Sequence, residues 1–225
     1  MEQPAPPSPP TTSPPPMRAP TFDAPLDVER IVQQVPQTAL IKGFFIDSFE
    51  KLILKERPDL KGKLYEGLER KSYNPLKSYW RGEIMRAEAQ FARLAFPDVP
   101  LREAMRRSCH LIYPSFLSSL VGRVVLVALY ARDVDAVLKV GPKMYSSMTN
   151  FGKIDADRVG DRHWRYHYVD YYSWIDCGDV GVIEGLLMHY GHDPKLTIAT
   201  DGPFEMWMDI QWTEKARAAP ATAKA

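Results

Sequence analysis

Hydrophobic residues recur at helical spacing along the first half of the chain. Over residues 38–55 they fall on one broad face, which is typical of a helix that packs on a core. The residues on this face are Leu40, Ile41, Phe44, Phe45, Phe49, Leu52 and Ile53. The same spacing predicts further helices over residues 27–35, 59–70 and 76–95, from residue 101 onward, and over 133–148. The N-terminal half is therefore predicted to be helical.

After Gly152 the hydrophobic pattern changes from the helical period to the two-residue period of strands. Strands are predicted over residues 162–172, 196–199 and 204–212. Between them, residues 179–190 have a helical apolar face that ends at Gly191, a typical C-terminal cap. This order predicts an α+β fold, with a helical N-terminal lobe followed by a small, mostly antiparallel sheet that has one inserted helix.

The two ends of the chain differ in composition from the region between them. Nine of the first twenty residues are proline, which predicts a disordered tail over residues 1–25. Residues 26–212 are predicted to form a single α+β domain, and residues 213–225 a second disordered tail. The overlapping PxxP spacings of the first tail would fit an aromatic-lined groove on a protein partner. The alternative is a tail that only increases solubility.

Composition excludes several classes of function. The 225 residues are 45% hydrophobic, enough for a substantial core, and the formal charge of +1 provides no field for nucleic acid or a membrane surface. The longest apolar run, Val124 to Ala131, is far shorter than the roughly 20 residues of a membrane-spanning helix. Cys109 and Cys177 are the only cysteines, and no secretory signal is recognisable. We therefore expect a cytoplasmic protein with reduced thiols.

Short motifs in this order give the chain a family resemblance. They are Ile41-Lys42-Gly43-Phe44-Phe45, Pro75-Leu76-x-x-Tyr79, Gly181-Val182-Ile183-Glu184-Gly185 and the closing strand that ends in Trp212. Over about residues 38–212 the chain resembles a myxobacterial paralogous domain family of unknown function. More distantly it is similar to heme–nitric-oxide-binding (H-NOX) domains and to 4-vinyl-reductase-type ligand-binding domains. The resemblance implies a ligand between the helical lobe and the sheet.

The H-NOX resemblance also implies where a heme would be held. The family ligates heme through a histidine on a helix that corresponds here to residues 133–139, which contain no histidine. The family's Tyr-x-Ser-x-Arg clamp for the heme propionates falls near Tyr171 and Ser173, which do not reproduce the triad. Axial ligation needs an imidazole or a thiolate. We therefore expect no heme and no other cofactor.

Individual reactive residues give little support for an enzyme. On a strand, His163 and His167 lie roughly 13 Å apart, too far to share an ion, so no metal site is expected. Cys177 lies near a predicted helix start, where the helix dipole lowers a thiol pKa, and is the candidate for a reactive or acylated thiol. An inert cysteine is the alternative reading. No acid–base pair is recognisable, and no catalytic residue is predicted.

The aromatic residues of the first strand allow two interpretations. Trp164, Tyr166, Tyr168 and Tyr172 are predicted on one face, opposite His163, Arg165, His167 and Tyr171. This face is either a stacking platform for a flat ligand or, as we favour, a face packed under the helical lobe. No basic patch accompanies it, so nucleic acid is not expected as a partner.

These observations lead to a primary hypothesis and an alternative. The first is a non-enzymatic sensory or regulatory module that binds a small apolar ligand between the helical lobe and the sheet. The residues predicted to contact the ligand are Leu117, Val121, Val124, Tyr130, Tyr145, Met148, Trp164 and Tyr166. The alternative is a packed scaffold domain that meets proteins through the Pro-rich tail or an aromatic face.

Overall fold

The computed structural model describes residues 14–112 and 133–214. In chain order its helices are α1 (Val28–Val32), α2 (Phe44–Glu56), α3 (Arg81–Ala95), α4 (Leu101–His110), α5 (Val134–Ser146) and α6 (Val180–His189). Its strands are β1 (Leu40–Lys42), β2 (Ser78–Trp80), β3 (Lys153–Gly160), β4 (His163–Val169), β5 (His192–Thr200) and β6 (Met206–Glu214). The α+β fold, with a helical lobe before an antiparallel sheet, is confirmed.

Two helices of the lobe begin later than predicted. Residues 40–42 and 78–80 were expected to be helical, but β1 and β2 pair there as a short antiparallel sheet, with Ile41 opposite Tyr79. Ile41 is buried in this arrangement, so its place on an apolar face was predicted correctly while its backbone conformation was not. Helical spacing alone does not distinguish a short buried strand from the first turn of a helix.

The helix predicted over residues 59–70 is absent. One short 3₁₀ turn, Pro58–Leu60, is followed by turns in which Gly62 and Gly67 have φ angles of 84° and 77°. Such angles are left-handed, and a helix does not continue through them. Leu60 and Leu64 are nonetheless buried, because turns as well as helices can direct leucines into the core.

The four-stranded sheet has the order β3-β4-β6-β5, and all its pairs are antiparallel. In the register of the central strands, Tyr166 lies opposite Met208, and both side chains are buried. Strand β3 was not predicted, because half of its eight residues are charged, five are exposed and none is fully buried, unlike a strand with one buried face. Strand β6 continues to Glu214, two residues into the predicted C-terminal tail.

A break after β4 changes which tyrosine faces the interior. The strand ends at Val169, and Asp170 has a φ angle of 48°. Alternation stops at this residue, so Tyr171 is buried and Tyr172 is only half-buried. The prediction that placed Tyr172 on the face of Tyr166 and Tyr168 is therefore wrong. Trp164, Tyr166 and Tyr168 are all buried, so their place on one inward-facing side of the strand was predicted correctly.

Part of the segment predicted as the N-terminal tail, residues 1–25, contacts the domain. The backbone of Arg18 forms two hydrogen bonds with Ile198 on the outer strand β5, at 2.8 and 2.7 Å. Phe22 packs against two groups of buried residues, one centred on the helical lobe and the other on the sheet with α5 and α6. In the two described ranges, no helix has both the length and the apolar composition required to cross a bilayer.

Candidate functional site

A cavity of about 440 Å³ lies where the two hydrophobic cores meet. Helices α2, α3, α4, α5 and α6 and strands β1, β3 and β4 contribute residues to its wall. Its apolar and aromatic lining includes Phe44, Phe45, Phe49, Leu52, Val137, Leu138, Met144, Ile154, Tyr168, Val182, Ile183 and Leu186. The cavity is therefore mostly apolar and lies between the helical lobe and the sheet.

Only some of the residues predicted to contact the ligand line this cavity among those that the structure describes. Tyr145, Met148 and Tyr166 line the cavity. Trp164 does not belong to this lining, and its indole N–H donates a hydrogen bond of 2.7 Å to Asp135. The other four candidates, Leu117, Val121, Val124 and Tyr130, lie outside the described residues.

One part of the wall carries charged groups that the sequence prediction missed. The guanidinium of Arg81 is almost completely buried and donates to Glu88 at 2.8 Å, to the carbonyl of Tyr172 at 2.7 Å and to the hydroxyl of Ser173 at 3.2 Å. Burial alone would lower the pKa of Arg81, but the Glu88 carboxylate more than offsets this and the pKa is raised. Arg81 is therefore a charged group held inside the protein.

Asp179 is the second carboxylate on this wall. It lies just before α6 and accepts a hydrogen bond of 3.1 Å from the hydroxyl of Tyr171. Burial raises its pKa from 3.8 to about 6, and the nearby hydroxyls and Arg81 only partly offset this effect. Near neutral pH the carboxylate is thus mostly ionised although it is removed from water.

Four polar atoms of the cavity wall are buried and have no hydrogen-bond partner among the described residues. They are Oε2 of Glu88, Oδ2 of Asp179, the hydroxyl of Tyr145 and the indole nitrogen of Trp174. Nearly all buried polar groups in proteins have a partner, and leaving one without costs about 1–3 kcal/mol. Several polar atoms without partners at one cavity could form hydrogen bonds with the polar group of a bound molecule.

The spacing of Arg81 and Glu88 in the sequence could have indicated that this charged pair lies on the buried face of α3. Arg81 and Glu88 are seven residues apart, about two turns of α3, and therefore lie on the same face as the buried Ile84 and Met85. A charged pair at that spacing on an apolar helix face is unusual. Asp179 directly precedes the apolar segment that contains Gly181, and only the fold brings it near α3.

The pKa of the Cys177 thiol differs in direction from the prediction. Both thiols are buried, and burial raises the pKa of Cys109 and of Cys177 well above the ordinary value. For Cys177 this is opposite to the lowering expected from a helix dipole, because desolvation is the dominant effect. Cys109 lines the cavity, while Cys177 is not part of its described lining.

The histidines of β4 lie on the face of the sheet away from the cavity. The ring of His167 stacks on Trp207 with 3.8 Å between centroids, and its Nε2 lies 3.2 Å from Glu205. His163 lies 3.4 Å from Asp209. Across residues 14–112 and 133–214, no three residues of the metal-binding types form a group suited to an ion.

The residues of the cavity do not match those of a histidine-ligated heme site. All five histidines of the chain are within the described residues, and none lines the cavity. Tyr171 and Ser173 do line it, but Ile175 follows where a Tyr-x-Ser-x-Arg motif has arginine. The guanidinium beside Ser173 comes instead from Arg81 on α3 and is already paired with Glu88.

Comparison with known proteins identifies a family and a fold. The model of a family described as a protein of unknown function, DUF2378, matches residues 34–213. No curated protein sequence matches the chain. This bears out the predicted resemblance to a family of unknown function, whereas the myxobacterial origin stays a prediction.

Solved structures with the same fold are H-NOX domains. The domain from Shewanella oneidensis in its Fe(II)CO state is 15% identical, with a TM-score of 0.61 over 77% of this chain and 99% of that one. A mutant of the T. tengcongensis H-NOX is 14% identical, with a TM-score of 0.58 over 79% and 100%. An oxygen-binding H-NOX domain related to soluble guanylate cyclases is 13% identical, with a TM-score of 0.58 over 81% and 100%. At these identities the likeness shows a shared fold.

Proposed function

This chain belongs to the DUF2378 family of proteins of unknown function, and we propose that its domain is a sensory or regulatory module. It binds a small, largely apolar ligand in the cavity between the helical lobe and the sheet, and it is not an enzyme. A structure with the same fold is described as an oxygen-binding domain, which is a precedent for ligand binding by this architecture.

The observation that carries this proposal is the cavity itself. Its volume of about 440 Å³ falls within the roughly 300–1,000 Å³ of small-molecule sites. Protein interiors are close-packed, and voids much larger than a water molecule are few. A solidly packed scaffold domain needs no such space, so the ligand module is preferred over the scaffold. A protein partner for the Pro-rich tail stays a prediction, since residues 1–13 lie outside the described residues.

The proposed module does not hold heme through an axial histidine. The absence of histidine from the described lining supports this statement. Histidine is the axial ligand that the H-NOX resemblance implies for heme. The ligand that we propose is an organic molecule bound by its apolar surface, which the largely apolar lining favours.

Filling the cavity tests the proposal. Val182 lies on the cavity wall in α6, and Val182→Trp places a large side chain in the proposed ligand space. We expect the uncharged dye Nile red to bind the unaltered protein and to bind the variant about tenfold more weakly, which corresponds to roughly 1.4 kcal/mol. Fluorescence titration measures both affinities, and circular dichroism establishes that the variant is folded.

The matched control is Val159→Trp, which adds the same side chain at an exposed position outside the cavity lining. It should leave the affinity for the dye unchanged. Equal affinity of the Val182 variant and the unaltered protein would locate dye binding elsewhere and contradict the proposal. A failure of the unaltered protein to bind the dye would favour the scaffold alternative.

A further inference from the structure

The charged groups of the cavity wall are unequal in number. Among the described lining residues, Asp179 and Glu88 supply two carboxylates, and Arg81 supplies one buried guanidinium. Lys51 also contributes to the lining, but its side chain is 73% exposed and is paired with Asp47 at 2.7 Å. The buried lining residues that the structure describes thus carry one more negative charge than positive when both carboxylates are ionised.

Arg81 is already paired with a carboxylate and uses three of its five N–H groups in hydrogen bonds. Its Nε, Nη1 and Nη2 atoms donate to Tyr172, Glu88 and Ser173, respectively. An incoming carboxylate would share the guanidinium with Glu88, and it would meet the like charges of Glu88 and Asp179 in a poorly solvated space. Like charges within such a space repel strongly because the local dielectric is low.

The unpartnered atoms favour a ligand that donates hydrogen bonds. Oε2 of Glu88 and Oδ2 of Asp179 can only accept when ionised, and the hydroxyl of Tyr145 can accept or donate. The indole of Trp174, which is only 3% exposed, lines the same cavity and supplies a single donor. Acceptors therefore predominate among the groups that lack a partner here.

Aromatic rings line the same cavity as these acceptors. The ring of Tyr171 stacks on Tyr145 at 4.3 Å between centroids and meets Tyr168 edge-on at 4.9 Å. All three tyrosines and Trp174 line the cavity. Faces of aromatic rings attract cations, and aromatic cages recognise organic ammonium groups in this way.

We propose that the ligand of this cavity is an organic cation with an apolar body and a protonated amine head. The ammonium group donates hydrogen bonds to Asp179 and Glu88 within the tyrosine-rich wall, and the body lies along the apolar helices α2, α5 and α6. This assignment rests on the proposed function, because it names the ligand class for the same cavity.

Three probes with the same alkyl chain test the assignment, namely decylamine, decanol and decanoate. They are titrated calorimetrically below their micelle concentrations, at a pH well above the Asp179 pKa of about 6. An alkylamine is protonated there, since such amines titrate near the lysine value of about 10.4. We expect decylamine to bind about tenfold more tightly than decanol, the effect of one charged hydrogen bond, and decanoate to bind most weakly.

Removal of one carboxylate provides the decisive variant. Asp179→Asn keeps the shape and the bond from Tyr171, and it should abolish the preference for decylamine over decanol while leaving decanol binding unchanged. The control Glu205→Gln removes a carboxylate near His167 on the opposite face of the sheet and should alter none of the affinities.

The outcomes separate the two levels of the proposal. If decanoate binds as tightly as decylamine, or if Asp179→Asn leaves the amine preference intact, the cation assignment is overturned while the ligand-binding module stands. If none of the three probes binds, the module itself is overturned together with the assignment.

Discussion

Arg81 shows how much a single buried charge determines at this site. Its guanidinium joins α3 to the segment after β4 through Tyr172 and Ser173, and it neutralises Glu88. A buried ion pair contributes little net stability compared with apolar packing, but removing one partner leaves an isolated buried charge. Loss of Arg81 would therefore leave Glu88 as an unpaired charge inside the protein, and this penalty keeps the ion pair in place on the cavity wall.

Substitution of Arg81 measures this cost. Arg81→Met leaves Glu88 without its cation, and we expect the free energy of unfolding to fall by about 3–5 kcal/mol. Arg86→Met is the control on the same helix, because its pair with Glu29 is largely exposed and should cost about 1 kcal/mol or less. Urea denaturation of both variants gives the comparison, and similar losses would contradict the account.

Asp179 links the stability of the protein to pH. Its pKa is about 6 in the folded protein against 3.8 ordinarily. Below both values the group is protonated in the folded and unfolded chains and imposes no penalty. As the pH rises from 3.8 to about 6, the unfolded chain releases this proton while the folded protein still retains it, so the free energy of unfolding falls and stays lowered at higher pH.

Asp179→Asn should remove that loss. We expect the variant to be more stable than the unaltered protein at neutral pH by up to about 3 kcal/mol, since each pKa unit corresponds to 1.36 kcal/mol. The advantage should shrink as the pH falls from the folded pKa of about 6 toward 3.8. Denaturation across this range tests it, and a variant less stable at neutral pH would show that the carboxylate is not penalised by burial.

At the scale of elements, the contact between α4 and α6 explains the glycines of the family motif. A Cβ atom at Gly181 would lie 2.2 Å from the carbonyl oxygen of Arg106, and one at Gly185 would lie 2.1 Å from that of His110. The two helices approach so closely that no side chain fits between them. This contact holds α6, which contributes Val182, Ile183 and Leu186 to the cavity, against the helical lobe.

A pair of alanine substitutions tests this contact. Gly185→Ala forces α4 and α6 apart, and we expect a loss of about 1–3 kcal/mol in the free energy of unfolding. Gly141→Ala, in α5, is the control because its Cβ would lie 3.5 Å from the nearest atom outside the helix, an ordinary contact. Because Pro142 follows and its ring crowds a Cβ on the preceding helical residue, we expect no gain from helix propensity and a change of about 1 kcal/mol or less. Equal effects in thermal or urea unfolding would mean that the close approach is not required.

For the whole molecule, sequence patterns predicted the helical lobe and the sheet better than the residues of the cavity wall. Periodicity identified the sheet region and α6, since long amphipathic segments keep their pattern in the fold. It failed at residues 59–70, where Gly62 and Gly67 adopt left-handed turns, and at β3, whose exposed charges hide its strand character. The sequence predicted a ligand between the helical lobe and the sheet, which stays a prediction. It did not predict charged groups at the cavity, because only the fold brings Asp179 to the Arg81–Glu88 pair of α3.

Native mass spectrometry of freshly purified protein tests the central claim most directly. If the cavity holds a small ligand, a part of the population should retain a noncovalent mass of small-molecule size, which denaturation releases and Val182→Trp diminishes. Val159→Trp should retain the same mass. A mass equal to heme, accompanied by a Soret band, would contradict the proposed ligand class. A bare protein that also fails to take up added decylamine, decanol or Nile red would contradict the account as a whole.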